Sequence, residues 1–334
     1  MAANRDWKNQ LTQILDRLNK LEEKYSGLGQ DMLSYLDGLY YSNGLNYWDY
    51  IHLDSLLGLQ NPRTPFPDEV IFITYHQITE LQFMLVKREI ANLTTERGED
   101  SEYLSLESWQ KRIGRIVNYF RHLANSFDIM GSGMDKGDFN KFRKALLPAS
   151  GFQSVQFREI EILCTKLGQL TRGVAVDPEM PLEEVYNHIY WKQGGIDLES
   201  GKKTITLEAF EEKYDDHLLN LIQKSKDKNL WELYLNSSEE IQSDENLKEL
   251  LREMDQAVNV FWKLGHLASA AKHLVSGENA VDATGGTNWR TFLPPRYQKI
   301  QFFPGLWNET EIDEWGKAAV VKRFNEIVTQ NWMK

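Results

Sequence analysis

VFWKLGHLASAAKHLV, which runs from Val260 to Val275, is the stretch that decides the fold. It has no proline and few β-branched residues, which favours the second half of a long helix that begins near Asp244. Residues that share a helix face with His266 are Asn259, Trp262, Ala270 and His273. The small residues around His266, which leave room for a flat partner, are Gly265, Ala268 and Ala270. We hypothesise that His266 ligates a haem iron, and the commoner alternative is a structural histidine.

The composition is compatible with a cytoplasmic protein that has a small-molecule substrate. The chain has 334 residues and a formal net charge of −11 without a Lys/Arg cluster, which argues against a nucleic-acid surface or partner. It has no run of about eighteen apolar residues, and its charged N-terminus lacks the apolar core of a secretion signal. We therefore expect a cytoplasmic protein with no membrane partner. The single cysteine, Cys164, excludes an internal disulfide and has no zinc-site spacing to a second ligand.

Residues 4–25 are predicted to form an amphipathic helix that packs against another subunit. Its apolar residues recur at steps of four and three, and they are Trp7, Leu11, Ile14, Leu18, Leu21 and Tyr25. So short a seam is not stable alone, so it packs either on its own chain or on another subunit, and we favour the second. We expect an intersubunit N-terminal helix, residues 1–30, and a single all-helical catalytic domain, residues 31–334.

A strong helix is predicted from Asp68 to about Ala91, with Phe72, His76 and Phe83 on one side. The structural alternative to a functional role is an ordinary core for Phe72 and Phe83, and a buried histidine with satisfied ring nitrogens for His76. Residues 104–130 are predicted to form a further long helix, because apolar residues recur there at steps of three and four: Trp109, Ile113, Ile116, Tyr119 or Phe120, and Leu123.

Residues 138–163 are predicted to form a short helix, a turn at Pro148 and Gly151, and a second helix. Phe139 and Arg143 share a face of the first helix. An arginine beside aromatic residues can bind a carboxylate through both arms of its guanidinium, and the alternative is an exposed salt bridge.

The loop of residues 276–296 contains Thr284-Gly285-Gly286-Thr287, which can bring backbone amides and a hydroxyl close to a ligand. Glycine pairs are also common in loops without a ligand. Strand signals are nearly absent and no internal repeat is present. The sequence therefore predicts an all-α helical bundle.

Together these segments resemble the tryptophan 2,3-dioxygenase family, from about Tyr47 to Trp307. The matching motifs are YWDYIHLDSLL, DEVIFITYHQITEL, DFNKFRKALLPASGFQSVQFR, WKLGHL, ATGGT and FFPGLW. The resemblance implies an all-helical homotetramer that binds one non-covalent haem b per subunit. It also implies an enzyme of tryptophan catabolism that inserts both atoms of O₂ into the indole of L-tryptophan. The product is N-formylkynurenine, formed by cleavage of the indole C2–C3 bond in the first step of the kynurenine pathway.

The resemblance also assigns roles to single residues. His266 corresponds to the proximal haem ligand and His76 to the distal histidine beside the indole nitrogen. Phe72 corresponds to an aromatic pocket wall, and Phe139 to a position that is Tyr in some members and Phe in others. Arg143 corresponds to the arginine that pairs with the substrate carboxylate.

Five further positions match the family. Ser150 and Gly151 correspond to a turn near the haem and the substrate. Thr284 corresponds to a threonine that contacts the substrate's ammonium and carboxylate. Tyr47 and Tyr50 correspond to substrate-binding residues that the neighbouring subunit donates. The loop between His266 and Thr284 is longer here than in the shorter bacterial members.

Two other functions stay open from the sequence. A related haem enzyme that monooxygenates a tryptophan or tyrosine derivative could use the same scaffold, because a fold does not fix the chemistry. A non-catalytic haem-binding helical protein is the alternative from another class. Arg143, His76 and Phe72 together argue against this second alternative, because haem storage needs no carboxylate clamp.

Overall fold

The computed structural model of the chain describes residues 7–94, 105–171, 176–177, 179–197, 200–276, 279–280 and 294–321. Within these ranges the secondary structure is almost entirely helical, which confirms the predicted all-α class. One antiparallel pairing joins the two-residue strands β1 (Val275–Ser276) and β2 (Asn279–Ala280). None of the described helices combines the length and the apolarity needed to span a bilayer.

The helices of the first half of the chain are α1 (Trp7–Gly27), α2 (Met32–Tyr41), α3 (Tyr47–Tyr50), α4 (Leu53–Leu57), α5 (Asp68–Thr94), α6 (Leu106–Ser132), α7 (Lys136–Phe142) and α8 (Val155–Cys164). Those of the second half are α9 (Leu182–Asn187), α10 (Tyr190–Gly194), α11 (Ile205–Ser225), α12 (Leu230–Leu235), α13 (Glu239–Ser243), α14 (Glu245–Gln256), α15 (Lys263–Leu274), α16 (Pro295–Gln298) and α17 (Glu309–Asp313). Short 3₁₀ helices span Arg143–Leu146, Gly151–Gln153, Leu167–Leu170 and Pro304–Leu306.

The chain divides into two compact units, Met1–Leu59 and Gln60–Lys334. In the first unit α1 contacts α2, and the rings of Tyr25 and Tyr35 stack with centroids 4.4 Å apart. Most of the predicted seam on α1 is exposed to solvent, including Trp7 at 62% and Ile14 at 52%. Such a surface suits a second subunit, and the predicted boundary after residue 30 stays a prediction.

The second unit is built around α5, α6, α14 and α15, which pack against one another. The apolar repeat predicted for α6 is confirmed, because its members are buried: Trp109, Ile113, Ile116, Phe120 and Leu123. They meet a buried face of α5 and α14 that consists of Phe83, Val86, Ile90, Leu247 and Leu251. This core fixes the positions of the helices that carry the candidate site residues.

The predicted long helix from Asp244 to Val275 is interrupted by a π-helical segment, Ala257–Trp262. The side chain of Asp244 caps α14 by accepting a hydrogen bond from the Leu247 amide at 2.7 Å. The wider π turn rotates α15 relative to α14, so the expected single face is split. Asn259 is buried against α14, whereas Trp262 lines a cavity with His266. Such π segments are frequent at functional sites.

Asp255, at the end of α14, ties the π segment to the FFPGLW motif. Its carboxylate accepts hydrogen bonds from the backbone amides of Phe302 at 2.5 Å and Phe303 at 3.1 Å. It also accepts from the side chains of Asn259 at 3.1 Å and Trp307 at 3.0 Å. Burial raises the pKa of Asp255 to about 6 against these four donors, so the carboxylate is ionised at neutral pH.

Replacing Asp255 by asparagine is expected to lower the free energy of unfolding by about 3 kcal/mol, because the new amide group faces two donors it cannot satisfy. Urea unfolding followed by circular dichroism measures the change. Asp244→Asn is the matched control, since asparagine also caps a helix and should change stability by less than about 0.5 kcal/mol. Equal losses in the two variants would contradict the role of Asp255.

Candidate active site

A cavity of about 250 Å³ in the second unit brings six of the predicted site residues together. These residues are Phe72, His76, Phe139, Ser150, Gly151 and His266. They come from α5, α7, the turn before α8, and α15. Positions separated by up to 194 residues in sequence therefore share one space, which only the packing of these helices produces.

His76 presents one defined ring nitrogen to this cavity. Its Nδ1 lies 2.7 Å from the carbonyl oxygen of Phe72, one turn earlier on α5. A carbonyl only accepts, so Nδ1 carries the proton and Nε2 of the neutral ring is an acceptor. Burial lowers the pKa of His76, which keeps the ring neutral at pH 7. A Cβ added at Gly151 would lie 3.9 Å from Nε2, so the turn before α8 faces this nitrogen.

Aromatic side chains continue the wall on both sides of Phe72. Its ring lies 4.2 Å from that of His76 and 6.2 Å from that of Phe139, measured between centroids. Phe142 is fully buried and does not line the cavity, and its ring packs edge-to-face on that of Phe72 with centroids 5.6 Å apart. A wall of this kind accommodates a flat apolar ring.

His266 is half-buried, and its side chain lines the cavity. Its ring is parallel to that of Phe127, with centroids 5.7 Å apart and an angle of 10° between the planes. Burial, and then the nearby His76 and Arg158, lower the pKa of His266 to about 4, so the ring is neutral at pH 7. No hydrogen bond to another described residue occupies either ring nitrogen. A neutral imidazole in this state is free to bind a metal ion.

Gly265 has a different role from the one its small size suggested. A Cβ at this position would lie 2.5 Å from the ring of Phe127 and 3.3 Å from the carbonyl oxygen of Ala124. Gly265 therefore allows the close approach of α15 to α6 and does not leave room for a flat partner. The space beside His266 is lined instead by Ser269 and Ala270.

Gly265→Ala is expected to push Phe127 away from the ring of His266 and to lower the free energy of unfolding by about 1–3 kcal/mol. Thermal or urea unfolding measures the loss. Gly114→Ala in the middle of α6 is the control, because its Cβ would meet nothing within 4 Å and alanine favours a helix. A Gly265 variant as stable as this control would show that the contact with Phe127 is not tight.

His273, two turns after His266, is held by the fold. It is only 3% exposed, and its Nε2 lies 2.6 Å from the carbonyl oxygen of Met130, to which it donates. Its ring packs on Phe139 with centroids 4.8 Å apart. Nε2 of His273 therefore has a hydrogen-bond partner on α6, whereas neither ring nitrogen of His266 has one among the described residues.

The remaining predicted residues are not brought into the cavity by the described structure. Arg143 starts a 3₁₀ helix one turn after Phe139 and is buried, but it is not among the residues that line the cavity. Tyr47 and Tyr50 lie on α3 of the first unit and are 70% and 73% exposed. Thr284 lies outside the described residues.

The cavity also has a charged side that the sequence alone did not reveal. Arg158, Tyr190, Lys263 and Gln298 all line it. The Nη1 atom of Arg158 donates to Glu161 at 3.0 Å and to the Tyr190 hydroxyl at 3.2 Å. Arg158 is the last residue of the motif LPASGFQSVQFR, and Lys263 lies within WKLGHL. Both residues therefore belong to motifs that resemble the family. Nothing in the spacing shows that these charges are buried together.

Comparison with known proteins shows which family of sequences this chain resembles. The sequence model of the tryptophan 2,3-dioxygenase family matches residues 38–292. A tryptophan 2,3-dioxygenase of Ruegeria sp. (strain TM1040) is 27% identical over 277 residues, which cover 80% of this chain and 92% of the relative. The enzyme of that name from Bradyrhizobium diazoefficiens is 27% identical over 282 residues, with the same coverage. One from Sorangium cellulosum is 39% identical over 125 residues, 36% of this chain and 30% of the relative. The chain belongs to the tryptophan 2,3-dioxygenase family.

Proposed function

We propose that this protein is a haem-dependent dioxygenase that cleaves the indole C2–C3 bond of L-tryptophan with O₂ and yields N-formylkynurenine. Family membership supports this reaction, and one observation in the structure carries the proposal. One cavity holds both His266, whose ring nitrogens form no hydrogen bond to another described residue, and His76, whose Nε2 is a fixed acceptor, and both rings are neutral at pH 7. The first suits a metal ligand, and the second suits recognition of an N–H group.

The residues present fit a haem. His266 offers a neutral imidazole, Phe127 fixes its ring plane, and Trp262 adds an apolar surface 6.1 Å from it. A bound haem would supply O₂ binding and the redox chemistry, whereas the protein supplies position and electrostatics. His266 would hold the iron in preference to His273, because the hydrogen bond to Met130 holds the ring of His273. Ser150 and Gly151 line the same space, so they would contribute to the haem and substrate pocket.

His76 would bind the indole N–H through Nε2 and so set the orientation of the ring. The N–H of indole is a far weaker acid than an imidazolium, and burial lowers the pKa of His76 further. The role of His76 is therefore to position the indole, and removal of the proton is not required of it. Phe72 and Phe139 provide the apolar walls on which the indole lies.

Recognition of the amino-acid end is assigned to Arg143 and Thr284. Arg143 follows Phe139 by one helical turn, so a modest change of its side chain on substrate binding would direct it along the same wall. A bidentate pair with the carboxylate would discriminate against analogues that lack this group. Thr284 would contact the ammonium and the carboxylate.

Tyr47 and Tyr50 would bind the substrate of a neighbouring subunit. The exposed tyrosines of α3 and the exposed apolar face of α1 suit a homotetramer in which the N-terminal unit of one subunit completes the site of a neighbour. A cytoplasmic location, with L-tryptophan and O₂ as the substrates, completes the proposal.

The reaction itself is the direct test. The purified protein is loaded with haem, reduced without air and mixed with L-tryptophan and O₂, and the absorbance of N-formylkynurenine is followed. A product that carries only one added oxygen atom would replace the proposal by a monooxygenase. A haem spectrum without any turnover of L-tryptophan would favour a non-catalytic haem protein.

Haem affinity is expected to be constant from pH 8 to about 5 and to fall about tenfold per pH unit below about 4, because protonation of His266 then competes with iron. In the haem-free protein, the unfolded chain protonates His266 near pH 6.5 and the folded chain only near 4. The free energy of unfolding therefore declines as the pH falls through this window. Soret titrations at each pH, with circular dichroism as the control for folding, measure the affinity. A haem affinity that already declines at pH 6.5 in folded protein would contradict the lowered pKa of His266.

A further inference from the structure

Two cations and one carboxylate are buried together on one side of the cavity. Arg158 is 7% exposed, Lys263 is 4% exposed, and Glu161 is fully buried. Glu161 accepts hydrogen bonds from Arg158 and from the hydroxyl of Tyr190, and it lies 3.9 Å from the ammonium of Lys263. One carboxylate thus faces two cations. Asp255 also attracts Lys263, but its oxygens already accept four other hydrogen bonds.

Lys263 has unused capacity to bind an anion. Its ammonium has three donors, of which one reaches Gln298 at 3.2 Å among the described residues, and Glu161 lies beyond hydrogen-bond distance. Burial lowers the pKa of Lys263 to about 8, with the attraction of Glu161 opposing it and the charge of Arg158 adding to it. The ammonium is therefore charged at pH 7 but insufficiently compensated. An anion in the cavity would stabilise it.

Arg158 is fixed in position by its surroundings. Its guanidinium carbon lies 5.2 to 5.5 Å from the ring centroids of Phe152, Phe157 and Trp191. Its Nη2 also donates to the carbonyl oxygen of Phe152 at 3.4 Å. A cation held in this way costs little further entropy when it binds a ligand.

We infer that Lys263 and Arg158 form a carboxylate subsite that takes the carboxylates of the bound haem, an inference that rests on the proposed function. Lys263 precedes His266 by three residues on α15, so the two side chains lie on neighbouring parts of the same helix face. A flat ligand bound at His266 meets Lys263 along this wall. Haem carries its two carboxylates at one edge, and such groups pair well with buried cations.

The substrate's carboxylate is the other possible source of the anion. The indole wall formed by His76, Phe72 and Phe139 leads along α7 toward Arg143, whereas the buried cations belong to α8 and to the helix that carries His266. The subsite is therefore assigned to the cofactor. The experiment measures the binding of haem and of L-tryptophan, so the two sources of the carboxylate are distinguished.

The test compares haem with haem dimethyl ester, which lacks the charged carboxylates. Each is titrated into the haem-free full-length chain, and the dissociation constant is obtained from the Soret band. The wild type is expected to prefer haem by about tenfold or more, as for one lost charged hydrogen bond. Lys263→Met should lower this preference severalfold, with Arg158 keeping the remainder, and Lys263→Arg should retain it. Because haem and its ester are compared within one variant, a general loss of stability affects both and cancels. If Lys263→Met does not fold, Lys263→Gln replaces it.

Lys272→Met is the matched control, since Lys272 is an exposed lysine of the same helix that does not line the cavity. It should keep the wild-type preference. The inference is overturned if Lys263→Met keeps the full preference, or if it loses affinity for L-tryptophan while its discrimination between haem and ester is intact. A wild type that binds no haem at all would instead refute the proposed function.

Discussion

Replacement of His266 by alanine is expected to abolish haem retention. The imidazole is neutral, faces the cavity and forms no hydrogen bond to another described residue, so iron would lose its protein ligand, and the hydrogen bond to Met130 holds His273, the other histidine of α15, in a different position. The variant protein, purified after expression with haem supply, should show no Soret band. Added imidazole should restore the band in part, because the small ligand fits the space that the alanine leaves.

His273→Ala is the control for this result. His273 lines the same cavity, but its Nε2 is engaged with the carbonyl oxygen of Met130, so its loss should lower stability more than haem content. Full haem occupancy in the His266 variant, together with loss of haem in the His273 variant, would transfer the ligand role to His273. Circular dichroism separates both outcomes from a general failure to fold.

Replacement of Arg143 by alanine is expected to weaken the binding of L-tryptophan by about 2–5 kcal/mol, as for loss of a buried partner of a charged group. The side chain is 9% exposed, so a carboxylate that reaches it would be largely shielded from water. Spectral titration of the haem protein with L-tryptophan measures the affinity. Tryptamine, which lacks the carboxylate, should bind the variant and the wild type equally well.

Lys144→Ala is the matched control for Arg143. It removes an exposed cation from the next position of the same 3₁₀ helix and should leave the affinity for L-tryptophan unchanged. Because Arg143 does not line the cavity in this structure, its role requires a movement on substrate binding. An unchanged affinity in the Arg143 variant would remove the clamp and turn attention to Arg158.

Much of the fold was predictable because helices follow from local spacing. The repeat of Trp109, Ile113 and Ile116 predicted α6 to within two residues at each end, and Pro148 with Gly151 predicted the break between α7 and α8. Periodicity failed at Ala257–Trp262, where the structure has a π segment. A π turn adds one residue to a helical turn, and its sequence still has the appearance of an ordinary amphipathic helix.

The sequence predicted some of the residues that line the cavity and little of the cavity's geometry. The motifs identified Phe72, His76, Phe139 and His266, and the structure places all four around one cavity. They did not indicate that Gly265 serves the contact with Phe127. Such a role depends on the distance between two helices that are far apart in sequence, and no local pattern encodes that distance.

By itself, the sequence determined that the chain is all-helical, which family it belongs to and which histidines are the candidates, because helix spacing and motifs are local properties. The tertiary structure alone decided which nitrogen of His76 is the acceptor, that His266 is neutral, and that Arg158 and Lys263 share one buried carboxylate. Protonation state and charge compensation depend on burial and on neighbours from distant helices. These arise only when α5, α8 and α15 enclose a common space.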